Sequence, residues 1–418
     1  MTVLRDAAAA GSVSAPLQDR AAAETYVASV CFKHGPPRLV GVELEWTVHD
    51  ARDPRRPLDL ARLSAALGAH APTTVNPDSP NQPLPHGSLV TVEPGGQVEI
   101  SAPPHRSLAD LITTVSSDAT VIADRLADHG LTLGKHGLDQ SRAVHRLLDT
   151  PRYAAMAGAF ACHGTDGLAW MCASAGLQVC VDAGEPDRVA ARWAALHSLG
   201  PVLSALFANS GQRRGGRSNW VSGRLRTMFG ADPVRNRPCA VTDDPAGWWA
   251  RKALDAPVMC VRTTDGDWTP SVPMSFAEWI DGAIPTKPTA DDLDYHLSTL
   301  FPPVRPRGYL EVRYLDAQDG DGWVAPAVLI AGLMADEATV DAALAATEPA
   351  AGRWLHAARY GLGEARIAAA ARELVALAER VLASGTRVGA DIGPELASSV
   401  VDELAERIET GNVGGNGS

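Results

Sequence analysis

The 418-residue chain is 45% hydrophobic and 21% charged, a globular composition with ample material for a large core. A formal net charge of −12 argues against a general binder of nucleic acid or of an anionic membrane, while leaving room for a locally basic pocket. No apolar run reaches the length of a membrane span and the N-terminus lacks the apolar core of a signal peptide, so a cytoplasmic location is expected.

In chain order, residues 1–20 read as a flexible arm and 21–410 as a single domain. "PRLVGVELEWTVHD" (37–50) alternates as a strand. A Pro- and Asn-rich connection leads to a second strand region, "LVTVEPGGQVEIS" (89–101), interrupted by a Pro-Gly-Gly break that suggests a bulge or turn. Residues 107–130 carry apolar positions at helical spacing, with Ser107 as N-cap and Gly130 as stop. "LTLGKHG", "AGLQVCVDAG" (175–184) and "GYLEVRYLD" supply three further strands. Helices are expected at 187–209, 325–346, 363–384 and near 393–409, and 411–418 reads as a disordered tail. Alternating strands separated by long helical insertions predict an α+β fold on a largely antiparallel sheet.

The strands carry their charges on one side. Glu43 and Glu45 share one face of "GVELEW", opposite Val42, Leu44 and Trp46. Two such carboxylates at ~4 Å repel by several kcal/mol at an effective dielectric near 20, which either water or a bound cation relieves. Glu93 precedes the glycine break, and Glu99 follows it with Gln97 on the same face. In "GYLEVRYLD", Glu311 and Arg313 oppose Leu310 and Val312. For each strand taken alone, the solvated face of an ordinary sheet is the competing explanation. If the faces converge, hard carboxylate oxygens without paired histidine or cysteine suit Mg²⁺, and several such ions around a polyphosphate balance five glutamates.

Only Lys33, Lys135, Lys252 and Lys287 are lysines, so a phosphate grip must come from arginine forks, metal ions and backbone amides. The stretch 209–237 is rich in glycine and arginine, including Arg213, Arg214, Arg217, Arg224, Arg226, Arg235 and Arg237. A loop closing over anionic substrates suits it better than an RNA-binding segment, because aromatic stacking partners are few. "GLTLGKHG" fails as a phosphate loop, since His136 stands where a hydroxyl residue is required. The six cysteines form no C-x-x-C pair, so reduced core thiols are expected, Cys172 and Cys180 among them.

"GVELEW", "VEPGGQVEIS", "PRYAAM", "SAGLQVCVD", "VSGR" followed by "DPVR", and "HLSTLFPPVRPRGYLEVRYLD" occur in an order that resembles the glutamate–cysteine ligases. The resemblance runs from about residue 38 to 384. It is to the bacterial and plant-like branch, and within it to the actinobacterial enzymes that begin ergothioneine synthesis. It implies a glutamine synthetase-like fold, with a curved sheet whose concave face forms the active site and helices packed outside. It implies ATP-dependent joining of the γ-carboxylate of L-glutamate to the amine of L-cysteine through a γ-glutamyl phosphate, with two or three Mg²⁺ ions. By the same resemblance Glu43, Glu45, Glu93, Glu99 and Glu311 are metal ligands, and Arg313 with Glu311 serves catalysis. Arg224 and Arg305 hold glutamate, and Gln178 stands where some branches place a metal-binding histidine. No nucleic-acid or membrane partner is implied, and a monomer is the favoured state. A relative using another amine acceptor, or a nonenzymatic nucleotide- or amino-acid-binding regulator, is the alternative function.

Overall fold

The computed structural model describes residues 15–213, 216–217, 219–384 and 387–411. Ten strands are formed among them: Val40–Trp46 (β1), Val48–Asp50 (β2), Leu89–Val92 (β3), Val98–Ser101 (β4), Leu131–Leu133 (β5), Gly176–Val181 (β6), Gln212–Arg213 (β7), Gly216–Arg217 (β8), Val304–Pro306 (β9) and Leu310–Asp316 (β10). Six make one sheet in the order β3-β4-β1-β6-β10-β9, every neighbouring pair antiparallel. The expected α+β architecture on an antiparallel sheet is therefore present. β2–β5 and β7–β8 are separate ribbons. The strand expected over 37–50 is accordingly split at Thr47, whose carbonyl accepts from the Gly134 amide.

The two faces of the large sheet differ as the alternation requires. Val42, Leu44, Trp46, Val98, Ile100, Leu177, Val179, Val181, Leu310 and Val312 are buried on one side. Helices Leu108–Asp128, Val189–Leu206 and Val324–Leu333 lie against these strands. Each such side chain stabilises the fold by about 1.5–3 kcal/mol, which offsets the cost of crowding acids on the opposite face. Helix Val189–Leu206 is buried on nearly all sides and has no polar stripe, which places it at the centre of the molecule. A Cβ on its Gly200 would fall 1.8 Å from the Trp354 ring, so the helix can approach that ring only through glycine.

Caps set several boundaries. Ser107 accepts from the Asp110 amide, as expected, and Gly130 follows the helix at φ +65°. The helix expected over 325–346 is two, Val324–Leu333 and Glu337–Thr347, because Asp336 caps the second by accepting from the Thr339 amide. The span Arg387–Thr410 holds two helices that meet at a kink at Gly393 (φ +77°), where Pro394 disfavours helical geometry in the preceding residue, and the second of them is the helix expected near 393–409. The stretch 209–237 contains a helix, Gly223–Ala231, capped by Ser222. Residues 1–14 of the expected arm and 412–418 of the expected tail lie outside the described residues. Residues 15–20 are tied down rather than free: Pro16 bridges Thr289, the Leu17 amide donates to the Pro288 carbonyl, and Asp19 caps helix Arg20–Cys31.

Candidate active site

Strand register turns the separate charged faces into one row. Across the sheet, Thr91 pairs with Glu99 and Glu99 with Glu45. One rung along, Ser101 pairs with Glu43 and Glu43 with Gln178. On the far side Cys180 pairs with Glu311, and Glu311 with Arg305. Glu93 joins from the β3–β4 turn, which is held by its own amide donating to the Gln97 carbonyl. That turn is fixed from beneath. The Gln97 side chain donates to the Met171 and Ser174 carbonyls and accepts from the Gly95 amide, and a Cβ on Gly95 would strike the Cys172 carbonyl at 1.9 Å.

Between Val312 and Leu315 the pairing of β10 with β6 shifts by one residue. Strict alternation would send Asp316 to the apolar side with Leu310 and Val312. The bulge instead pairs it with Gly176 and returns it to the charged side. There, buried, it accepts from the Asn209 and Ser210 amides and from the Ser210 and Ser222 hydroxyls. One carboxylate thereby ties Asn209, Ser210 and Ser222 to the end of β10.

Glu311 is fully buried among cations. Its Oε2 accepts from Arg305 Nε at 2.7 Å and Arg313 Nη1 at 2.8 Å, while Arg307 Nη1 stands 3.8 Å from Oε1. Burial alone would raise its pKa, but Arg305, Arg313 and Arg307 outweigh burial and hold it well below the usual carboxylate range. The other acids go the opposite way. Burial, with Glu99 and Glu311 nearby, pushes Glu43 up to about 8. Burial with Glu93 pushes Glu99 up to about 7, and burial with Glu93 and Glu99 holds Glu45 well above its ordinary value. Burial also raises Glu93 against the pull of Arg152. Four carboxylates that disfavour their own charge beside a fifth held through one oxygen by two arginines describe a site short of positive charge on its acidic side.

Gln178 links the two sides. Its amide donates to Glu99 Oε2 at 3.2 Å, and its carbonyl oxygen accepts from Arg313. Arg224 is buried against the Trp170 ring, 5.0 Å from its centroid, and both terminal nitrogens donate to the Arg313 main-chain carbonyl at 3.1 Å. It therefore acts on the bulge that presents Arg313. Gly176 makes room for it, since a Cβ there would meet Arg224 Nη2 at 2.3 Å. The Nε atoms of both Arg224 and Arg313 are buried without a hydrogen-bond partner among the described residues.

All nine residues singled out in the sequence (Glu43, Glu45, Glu93, Glu99, Gln178, Arg224, Arg305, Glu311 and Arg313) thus meet on or beside one face. Of the arginines in the 209–237 stretch, Arg226 pairs with Asp166 and Arg235 with Asp232, neither of them an acid of the row. Arg214 lies outside the described residues. Three contributors escaped the sequence reading. Arg152 stacks on Tyr295, donates to Ser298 and pulls on Glu93. Asp316 was hidden by the bulge. Cys180 is buried as expected, but on the charged face, and one atom each of Glu43, Cys180 and Glu311 lie within 4.8 Å of one another. Its two-residue spacing from Gln178 was the available signal.

The chain belongs to glutamate–cysteine ligase family 2, whose family model matches residues 39–415. It is 38% identical over 373 residues to the glutamate–cysteine ligase EgtA of Mycobacterium tuberculosis (strain H37Rv), covering 87% of this chain and 84% of that protein. Against the EgtA of Mycolicibacterium smegmatis the identity is again 38%, over 367 residues, covering 85% and 83%. A chloroplastic glutamate–cysteine ligase of Oryza sativa subsp. japonica is 29% identical over 262 residues, covering 59% of this chain and 52% of that one. Among solved structures, a glutamate–cysteine ligase of Francisella tularensis superposes with a TM-score of 0.47 at 12% identity, covering 91% of this chain and 90% of that one.

Proposed function

We propose that the chain catalyses ATP-dependent formation of γ-glutamylcysteine from L-glutamate and L-cysteine, at the face built by Glu43, Glu45, Glu93, Glu99 and Glu311, and that the product feeds ergothioneine synthesis. The observation that carries the proposal is the register that lines up Glu43, Glu45 and Glu99, joined by Glu93 from the β3–β4 turn, beside the arginine-bound Glu311. Kinship to EgtA names the reaction.

The donor set fits Mg²⁺: carboxylate oxygens, no histidine, and a surplus of negative charge. Glu43, Glu45, Glu93 and Glu99 would hold it, with Glu311 completing the set, and bound Mg²⁺ would supply neutralising charge to a polyphosphate. The protein's own part is positioning and electrostatics, which is what phosphoryl transfer asks of a protein. Arg313 is fixed by Gln178, Glu311 and, through its carbonyl, Arg224, so its charge is directed at the acidic row without freedom to wander. Arg305 is held by Glu311 and the Leu300 carbonyl. These guanidiniums would receive the glutamate carboxylates and the phosphoryl oxygens as forks. In the first step an oxygen of the glutamate γ-carboxylate attacks the terminal phosphorus of ATP, and ADP departs. In the second the cysteine amine attacks the activated carbonyl, and phosphate leaves with that oxygen.

The test is ADP release by purified protein with ATP, Mg²⁺ and L-glutamate, with and without L-cysteine or other amines, with product mass read in parallel. Cysteine-dependent release with a γ-glutamylcysteine mass is the expected result. Release only with a different amine would move the acceptor, and no release with any acceptor would overturn the reading.

A further inference from the structure

The hard-oxygen description does not cover the whole row. Where β1, β6 and β10 run side by side, Cys180 stands in register with Glu311 on one side and Gly41 on the other. Gly41 offers no side chain, and a Cβ on it would stand 3.6 Å from the Cys180 Cβ; Glu43 follows two residues further along β1. Suitable atoms of Glu43, Cys180 and Glu311 lie within 4.8 Å of one another. Glu311 is fully buried, and its Oε1 has no hydrogen-bond partner among the described residues, with Arg307 Nη1 3.8 Å from it. Cys180 is itself buried, 7% exposed, so its thiol is shielded from bulk solvent and from other protein surfaces.

We infer that Glu43, Cys180 and Glu311 form a subsite of mixed oxygen and sulfur character that takes a thiophilic divalent cation such as Zn²⁺ or Cd²⁺. A thiolate is a soft ligand and carboxylates accept the same ions, whereas Mg²⁺ has little affinity for sulfur. Oxygen and sulfur bonds of about 2.0 and 2.3 Å at a tetrahedral ion put the ligand atoms about 3.5 Å apart. Contraction of the cluster by roughly an ångström from its widest separation closes the site, within the reach of side-chain rotation. Binding forms one metal–sulfur bond and two metal–oxygen bonds. The thiol proton passes to solvent, and no oxidation is involved. Occupancy draws Glu311 toward the ion and loosens its hold on Arg305 and Arg313. A thiophilic ion therefore inhibits the protein instead of substituting for Mg²⁺.

Cys162 is the exposed cysteine among the six, so the experiment starts from Cys162→Ser protein. Metal-free protein is titrated with Cd²⁺ while the ultraviolet charge-transfer absorption of the cadmium–thiolate bond is followed. One equivalent saturates the band, Zn²⁺ displaces it, and excess Mg²⁺ does not. Adding Cys180→Ser or Cys180→Ala abolishes the band, with circular dichroism confirming the fold. Glu43→Gln, which retains every remaining thiol, weakens Cd²⁺ binding by at least the about 10–100-fold that loss of an outer-shell metal contact costs. A band that survives in a folded Cys180 variant, or no band in Cys162→Ser protein, overturns the inference. Where neither Cys180 variant folds, unchanged Cd²⁺ affinity in Glu43→Gln overturns it. Mg²⁺-dependent ADP release measured on the same preparations reports on the ligase reading separately, since Cd²⁺ binding requires no turnover.

Discussion

Glu311→Gln isolates the charge balance of the site. The substitution keeps the shape and an acceptor oxygen but removes the negative charge between Arg305 and Arg313. Both arginines reach the same oxygen, at 2.7 and 2.8 Å, so their donor nitrogens stand no more than about 5.5 Å apart. With the carboxylate neutralised, two unit charges at that distance repel by about 3 kcal/mol at an effective dielectric of about 20. Breaking a buried ion pair by removing one partner costs about 3–5 kcal/mol in general, and both routes give the same range. We therefore expect Glu311→Gln to lose about 3–5 kcal/mol of unfolding free energy and to abolish turnover. Urea unfolding monitored by fluorescence and by circular dichroism measures the first, and ADP release the second. Arg305→Met on the Glu311→Gln background removes one of the unpaired cations and should recover part of the stability. A loss below about 1 kcal/mol, or near-normal turnover at saturating Mg²⁺, would refute this account of the pairing.

Other perturbations follow from the same geometry. Arg224→Lys replaces two donors on the Arg313 carbonyl by a single ammonium and removes the stacking on Trp170, so kcat should fall about tenfold and the KM for glutamate rise; steady-state kinetics with both parameters unchanged would contradict it. Glu43 and Glu99 keep protons in the folded state, up to about pH 8 and 7, that the unfolded chain has already released. Metal-free protein should thus lose stability as pH rises from about 4.5 toward 8. The gain in Tm on adding Mg²⁺, worth about 2.7 kcal/mol at a hundred times Kd, should be larger at pH 8 than at pH 6, and equal gains at both would count against cation binding by these acids. His197 and His296 are buried and held neutral, with pKa values pushed down by burial to about 4 and about 3. Their contribution is present above the unfolded value near 6.5 and is lost as pH falls. Between neutral pH and pH 5 each should cost about 2 kcal/mol, and His296→Gln should flatten the fall in urea midpoint over that window.

The glutamate-bearing strands were legible because period-two alternation survives in "GVELEW" and "YLEVR", and because buried apolar faces fix register. The order of strands was not, since β1 lies between β4 and β6 and only long-range pairing decides that. Asp316 shows how one inserted residue defeats alternation: the bulge after Val312 moves it from the face its position suggests to the face it occupies. Arg152 sits within "PRYAAM", on a helix whose approach to the acids depends on tertiary packing, so spacing carried no sign of its role. Cys180 was legible only in part. Burial and apolar neighbours marked it correctly as a core thiol, but the strand that buries it also turns it toward two carboxylates. Arg224 was recognised as part of the site by family likeness, yet its grip on a main-chain carbonyl leaves no trace in the sequence.

The central claim is that this face activates glutamate by phosphorylation before the amine attacks. L-Glutamate carrying ¹⁸O in its γ-carboxylate, incubated with the protein, ATP, Mg²⁺ and L-cysteine, tests it by mass spectrometry of the released phosphate. The account predicts that one labelled oxygen passes to inorganic phosphate for each γ-glutamylcysteine formed. Label recovered in AMP, or unlabelled phosphate alongside labelled product, would contradict it.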